Sequence, residues 1–192
     1  MSARGDETRR KILEAATALF AQKSFSGVTM GDICKACGIS RGGLYRHYAS
    51  TEAIMIALVR QEQESALLAL EKARSRQIPE PIVLKSFLRS RLQVLCDPSQ
   101  CINNALSDFA ANSESGKELL LERAKKSISI LTEMISLSYG AKKLPCAELE
   151  TLATHIICLL EGLSKHSALV GLTAQEQRSQ LQLIESILSL EG

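Results

Sequence analysis

The stretch GVTMGDICKACGISRGGLYRHYASTEAI, residues 27 to 54, decides how this chain is read. Thr29 is a helix-capping residue with an acid, Asp32, three positions on, a shortened form of the capping box. The short helix it opens, about 30 to 36, stops at Cys37-Gly38-Ile39, where Gly38 suits the left-handed position that closes a helix. Ser40 caps a further short helix, about 41 to 48, and Ser50 caps the next, with Glu52 near the positive end of its dipole. Two short helices joined by a tight glycine-containing turn make a helix-turn-helix. In that motif the second helix lies in the DNA major groove with its N-terminal residues at the base edges.

Periodicity sorts the side chains of that second helix. Leu44 and Tyr48 are four apart and share a face with Ile39, so they are expected to pack on the preceding helices. Arg41 and Tyr45, also four apart, point outward together. Gly42 and Gly43 lie between them in the first turn. A glycine inside a helix costs about 0.5–1 kcal/mol relative to alanine, so two side by side call for a reason. Close approach of the backbone to DNA supplies one. Arg41 has the fork that binds guanine in bidentate fashion, and Tyr45 and His47 carry polar groups that reach phosphates, which set register without reading sequence.

Outward from this stretch, the 192 residues are 45% hydrophobic and 23% charged, the composition of an ordinary globular protein with enough chain for a sizeable core. Residues 1–60 hold nine Lys/Arg against five Asp/Glu, a net +4, whereas the remainder carries −2. The basic excess is confined to the N-terminal third and points to a polyanion there. There is no signal-peptide pattern and no run of apolar residues long enough to span a membrane, so a cytoplasmic protein is expected. The six cysteines, at 34, 37, 96, 101, 146 and 158, are read as thiols rather than a disulfide framework.

Nearly every segment has the helical period. Ile12, Leu13, Ala16, Leu19 and Phe20 form one stripe in a first helix at 6–23. A fourth helix runs from 51 to about 76, and Pro79 and Pro81 mark a linker. Five more follow at roughly 82–96, 101–111, 115–138, 146–170 and 174–190. The expected fold is all-α with about nine helices. A helix-turn-helix domain takes residues 1–50 and a helical effector-binding and dimerisation domain residues 51–192, with the helix 51–76 connecting them.

Residues 27 to 54 resemble the DNA-binding signature of TetR-family transcriptional regulators: threonine, a hydrophobic residue, any residue, Asp-Ile, small residues, Gly-Ile-Ser, then Leu-Tyr-x-His-Tyr. The resemblance is close over about the first 60 residues. It implies that Arg41, Gly42 and Tyr45 face bases, and that Thr29, Gly43 through its backbone, Tyr45 and His47 lie near phosphates; Ser40 and Arg46, in the same helix region, are added to the DNA-binding candidates. It also implies a homodimer on near-palindromic double-stranded operator DNA, with its two readers about 34–36 Å apart. Two positions depart from the pattern: Thr51 stands where the family commonly has a phosphate-binding lysine, and Gly31 leaves bare a position that is basic in some members.

In the C-terminal two-thirds, the leucine- and isoleucine-rich helices 146–170 and 174–190 offer more apolar surface than one small bundle buries, and two such hairpins would form an intersubunit four-helix bundle. Leu159, Gly162, Leu163, His166, Ile184 and Leu188 are assigned to that interface. Polar candidates for an effector pocket are Asn103, Asn104, Asp108, His155, Cys158 and His166. Cys101, read as opening the helix CINNALSDFA, is a candidate sensor of oxidants or electrophiles, with its thiolate favoured by the helix dipole and Cys96 as a resolving thiol. Cys34-x-x-Cys37 falls on small core positions, and no second pair sits at zinc spacing, so no metal is expected.

These observations give a sequence-specific DNA-binding regulator, a repressor released by a small-molecule effector of unknown identity, with no cofactor and no enzymatic activity. Two alternatives differ in class. A thiol peroxidase using Cys101 lacks a histidine or acid partner in any motif, and a protein-binding adaptor would lack the steep salt dependence of phosphate contacts.

Overall fold

The computed structural model describes residues 3–76, 78–97, 99, 101–138 and 145–188. Among the described residues it holds nine α-helices and no strand: α1 (Ala3–Lys23), α2 (Met30–Cys37), α3 (Arg41–Tyr45), α4 (Thr51–Ser75), α5 (Glu80–Cys96), α6 (Asn103–Asn112), α7 (Glu114–Ser138), α8 (Cys146–Val170) and α9 (Ala174–Ile187). The all-α expectation stands. The last residues expected in α9, 189 and 190, lie outside the described set.

Several boundaries differ from the sequence reading, among them the start of α1, at Ala3 rather than residue 6. α3 ends at Tyr45 rather than at residue 48, because His47 N–H turns back to the Leu44 carbonyl at 2.9 Å in a tighter closing turn. α5 begins at Glu80, so Pro81 is inside the helix, in the first turn where a missing N–H breaks no bond. α6 begins at Asn103, and Cys101 precedes it rather than opening it.

The chain divides into two compact units, Met1–Glu62 with Pro98–Leu121, and Gln63–Asp97 with Glu122–Gly192. The first therefore takes in more than the N-terminal fifty residues. Its core joins Ile12, Ala16 and Phe20 of α1, Ile33 of α2, Leu44 of α3, Ile54 and Met55 of α4 and Leu106 and Phe109 of α6. Phe25, in the turn after α1, lies between Phe20 and Phe109, with ring centroids 5.7 and 4.2 Å away. Each buried aliphatic or aromatic side chain of this kind contributes about 1.5–3 kcal/mol relative to exposure.

The α1–α2 turn is held from a distance in sequence. Ser24 adopts a left-handed backbone (φ 61°), a conformation that disfavours residues with a Cβ. Its hydroxyl donates to Asp108 Oδ2 at 3.0 Å, and Ser26 N–H donates to the same oxygen at 2.7 Å. Gly116, in the first turn of α7, is required where it stands, since a Cβ there would meet the Phe109 carbonyl oxygen at 2.4 Å.

In the second unit α5 packs on α8 and α9. Leu84, Leu88, Leu92 and Leu95 of α5 are buried, as are Leu149, Ala153, Ile156 and Leu160 of α8 and Leu181, Ile184 and Leu188 at α9. Ser167 of α8 donates to the Cys96 carbonyl at 3.1 Å, which satisfies a hydroxyl inside that packing. Arg74 of α4 and Glu133 of α7 pair at 2.6 Å on the surface.

Candidate nucleic-acid interface

The interface is built from caps. Thr29 N–H donates to Asp32 Oδ2 at 2.9 Å, the Thr29 hydroxyl donates to the same oxygen, and Asp32 N–H donates back to Thr29 Oγ1 at 3.2 Å. These bonds from Thr29 hold the Asp32 carboxyl below its ordinary range, with Lys23 and Lys35 adding to the effect. An acid beside a prospective phosphate site is thus taken up locally. At the other end of α2, Gly38 takes the left-handed cap (φ 67°) and its N–H donates to the Cys34 carbonyl. Ser40 then opens α3, its side-chain oxygen accepting from Gly43 N–H at 3.2 Å.

On this scaffold the face of α3 divides as its period requires. Leu44 is fully buried, while Arg41, Gly42, Tyr45 and Arg46 are exposed, Tyr45 to 53%. His47 is half-buried in the turn after α3, and Tyr48 packs against the core, where burial raises its phenol pKa. An exposed tyrosine and two arginines beside a bare glycine can meet base edges and phosphates together.

The two glycines are not equivalent. A Cβ at Gly42 would meet nothing within 4 Å, whereas one at Gly43 would stand 3.2 Å from Ser40 Oγ. Gly42 leaves the surface bare, and Gly43 also makes room for the cap. The structure further brings Arg41 against Gly31, a neighbour that the sequence reading did not see. The i/i+10 spacing across a turn carries no periodic signal that would have revealed it.

The effector candidates divide between the two units: Cys101, Asn103, Asn104 and Asp108 belong to the first, and His155, Cys158 and His166 to the second. Asp108 is committed to the α1–α2 turn, and its carboxyl is held below the ordinary range chiefly by the Ser26 N–H bond. A carboxylate engaged in this way braces the fold. Asn104 is exposed on α6, and Cys101 is half-buried ahead of that helix. His155 and Cys158 are exposed on α8, one turn apart, together with Gly162 and His166. Gly162 has open space around it.

Of the interface candidates, Leu159 and Leu163 are half-buried, but Ile184 and Leu188 are fully buried within the protomer. The exposed apolar side chains of α9 are instead Leu183 and Ile187, one helical step away, and those at the end of α8 are Leu169, 85% exposed, and Val170. Cys37 donates its thiol to the Ile33 carbonyl at 2.9 Å, and burial raises its pKa, so the Cys34/Cys37 pair is packed inside the helix-turn-helix. None of the six cysteines is in a disulfide, and no group of three metal-ligating side chains occurs among the described residues. No helix among them is long and apolar enough to cross a membrane.

The family profile described as bacterial regulatory proteins, tetR family, matches residues 12–58, from α1 into α4. The HTH-type transcriptional regulator UidR of Escherichia coli strain K12 is 43% identical over 67 residues, which are 35% of this chain and 34% of that protein. The HTH-type transcriptional regulator YfiR of Bacillus subtilis strain 168 is 35% identical over 72 residues, covering 38% and 35% of the two chains. The matched segment thus spans about a third of these curated relatives. The crystal structure of a transcriptional regulator from Aquifex aeolicus VF5 superposes over 95% of this chain and 98% of its own with a TM-score of 0.70 at 20% identity. That likeness extends the shared fold to both units.

Proposed function

We propose, from the match of residues 12–58 to the tetR family of bacterial regulatory proteins, that the chain is a sequence-specific DNA-binding transcriptional regulator, a repressor that a small-molecule effector releases. The observation that carries the reading is the first turn of α3: Arg41 and Tyr45 stand exposed around a bare Gly42, over a buried Leu44. Arg41 and Tyr45 read bases. Arg46, His47 and the backbone around Gly43 meet phosphates, and the first turn of α2 behind Thr29 adds N–H donors. The surrounding Lys and Arg of the first sixty residues supply the attraction that is indifferent to sequence.

A single five-residue reader covers few base pairs, so two copies on a near-palindrome are required for useful specificity. The exposed apolar residues Leu169, Val170, Leu183 and Ile187, with the bare surface at Gly162, supply the face on which two protomers meet. Leu159, Leu163 and His166 border it. An effector that prefers the arrangement in which the two readers no longer fit one face of DNA would release the operator, and its preference limits the response. α4, which contributes residues to both units, is the lever. The protein works in the cytoplasm, where that DNA is.

The test is selection of duplexes from a random library by the full chain, followed by salt-titrated binding to the selected and to an unselected duplex. Preference for the selected duplex, a two-to-one protein-to-duplex stoichiometry and a steep fall of affinity with salt are expected. Equal affinity for both duplexes, or affinity indifferent to salt, would overturn the reading.

A further inference from the structure

Gly31 is the second residue of α2 and Arg41 the first of α3, and the intervening turn brings them together. A Cβ at position 31 would stand 3.5 Å from Thr29 Oγ1 and 3.8 Å from Arg41 Nη2, both ordinary contact distances. The arginine fork therefore rests over a glycine. A methyl group fits beneath it at ordinary contact distance, whereas a longer side chain would have the fork within its reach. Among the described residues no hydrogen bond or ion pair is seen at the Arg41 guanidinium, which is exposed. Arginine has wide rotamer freedom, and bidentate recognition tolerates little displacement of the planar fork.

We propose that Gly31 is a positioning residue for Arg41: by having no side chain it lets the guanidinium lie along the first turn of α2, and so sets which base edge Arg41 meets. This rests on the reading of α3 as the element that enters the major groove. The departure at Gly31 is then not a lost DNA contact. It is the empty place that the arginine of the next helix uses, and positions 31 and 41 specify the base together.

The experiment is a double-mutant cycle on the full chain, read as the ratio of affinities for the selected and an unselected duplex. Gly31→Met should lower that ratio about tenfold, the size of one misplaced base contact, and Gly31→Ala should lower it less. Repeating the selection with Gly31→Met should change the preferred base at the position where Arg41→Ala loses preference. In the Arg41→Ala background, Gly31→Met should leave the ratio where it was. A ratio that Gly31→Met does not alter, or lowers equally in both backgrounds, would overturn the proposal, the second result meaning that the new side chain obstructs DNA by itself. Circular dichroism monitors folding, and Gly31→Gln, of similar length, replaces Gly31→Met if the latter unfolds. A wild-type ratio of one would appear before any substitution; it would sink the DNA-reading function, and this assignment with it.

Discussion

Gly42 and Gly43 are adjacent and chemically identical, yet the space around them assigns them different work. At Gly42 the surroundings are open, so Gly42→Ala should stabilise the free protein by about 0.5 kcal/mol through helix propensity. It should also weaken binding to the selected duplex, because under the proposed reading DNA approaches α3 at this bare surface. Gly43→Ala should bring no such gain, since its Cβ crowds the Ser40 cap at 3.2 Å. Urea unfolding of the two variants checks the difference, and equal stabilisation would refute it. On the same face, Arg41→Ala should cut discrimination between duplexes by about 10- to 100-fold, the equivalent of about 1–3 kcal/mol. His47→Ala should weaken selected and random duplexes alike. Fluorescence anisotropy with both duplexes separates these outcomes.

Among the elements, α6 has the least obvious role. It lies far along the chain from the helix-turn-helix, yet Asp108 accepts bonds from Ser24 and Ser26 and so secures the turn that leads α1 into α2. Asn112 steadies that carboxylate with a bond of 2.9 Å to Oδ1. Because these bonds favour the charged form, the folded pKa of Asp108 lies below the unfolded value of about 3.9. The contribution is complete above about pH 4 and is lost as pH falls through the folded value. Asp108→Asn should therefore be less stable than the wild type near neutral pH, and the gap should narrow as acid is added. Urea midpoints between pH 7 and pH 3 read this directly, and a gap that stays constant would show that the carboxylate charge is not what holds the turn.

For the whole molecule, the register of α9 separates side chains packed within the protomer from those left exposed for the proposed association. Ile184 is fully buried and Leu183 is 52% exposed, although they are neighbours in sequence. Leu183→Asp should leave the protomer folded and shift sedimentation toward the monomer, whereas Ile184→Asp should destabilise the fold by several times as much, having placed a charge in a core. A Leu183→Asp protein that sediments as a dimer would move the interface off this face. Affinity for the selected duplex should fall along with dimerisation, since two readers are then no longer linked.

The helix-turn-helix was legible in the sequence because its determinants are local. Thr29 meets Asp32, Gly38 caps what precedes it and Ser40 caps Gly43, all within a few residues, and the exposed set at Arg41 and Tyr45 follows from helical period alone. The same locality made α4 and α8 readable. Tertiary structure decided what local chemistry leaves open. A period shows that a helix has an apolar stripe but not which neighbour covers it, so Ile184 and Leu188 were expected at an interface and are instead buried in the protomer. Asp108 was expected among the inward polar side chains of a pocket, and two of its partners, Ser24 and Ser26, are more than eighty residues away. Cys101 was placed at a helix start whose first turn begins two residues later. The contact between Gly31 and Arg41 likewise depends on how one helix turns against the next, which short-range sequence chemistry permits but does not specify.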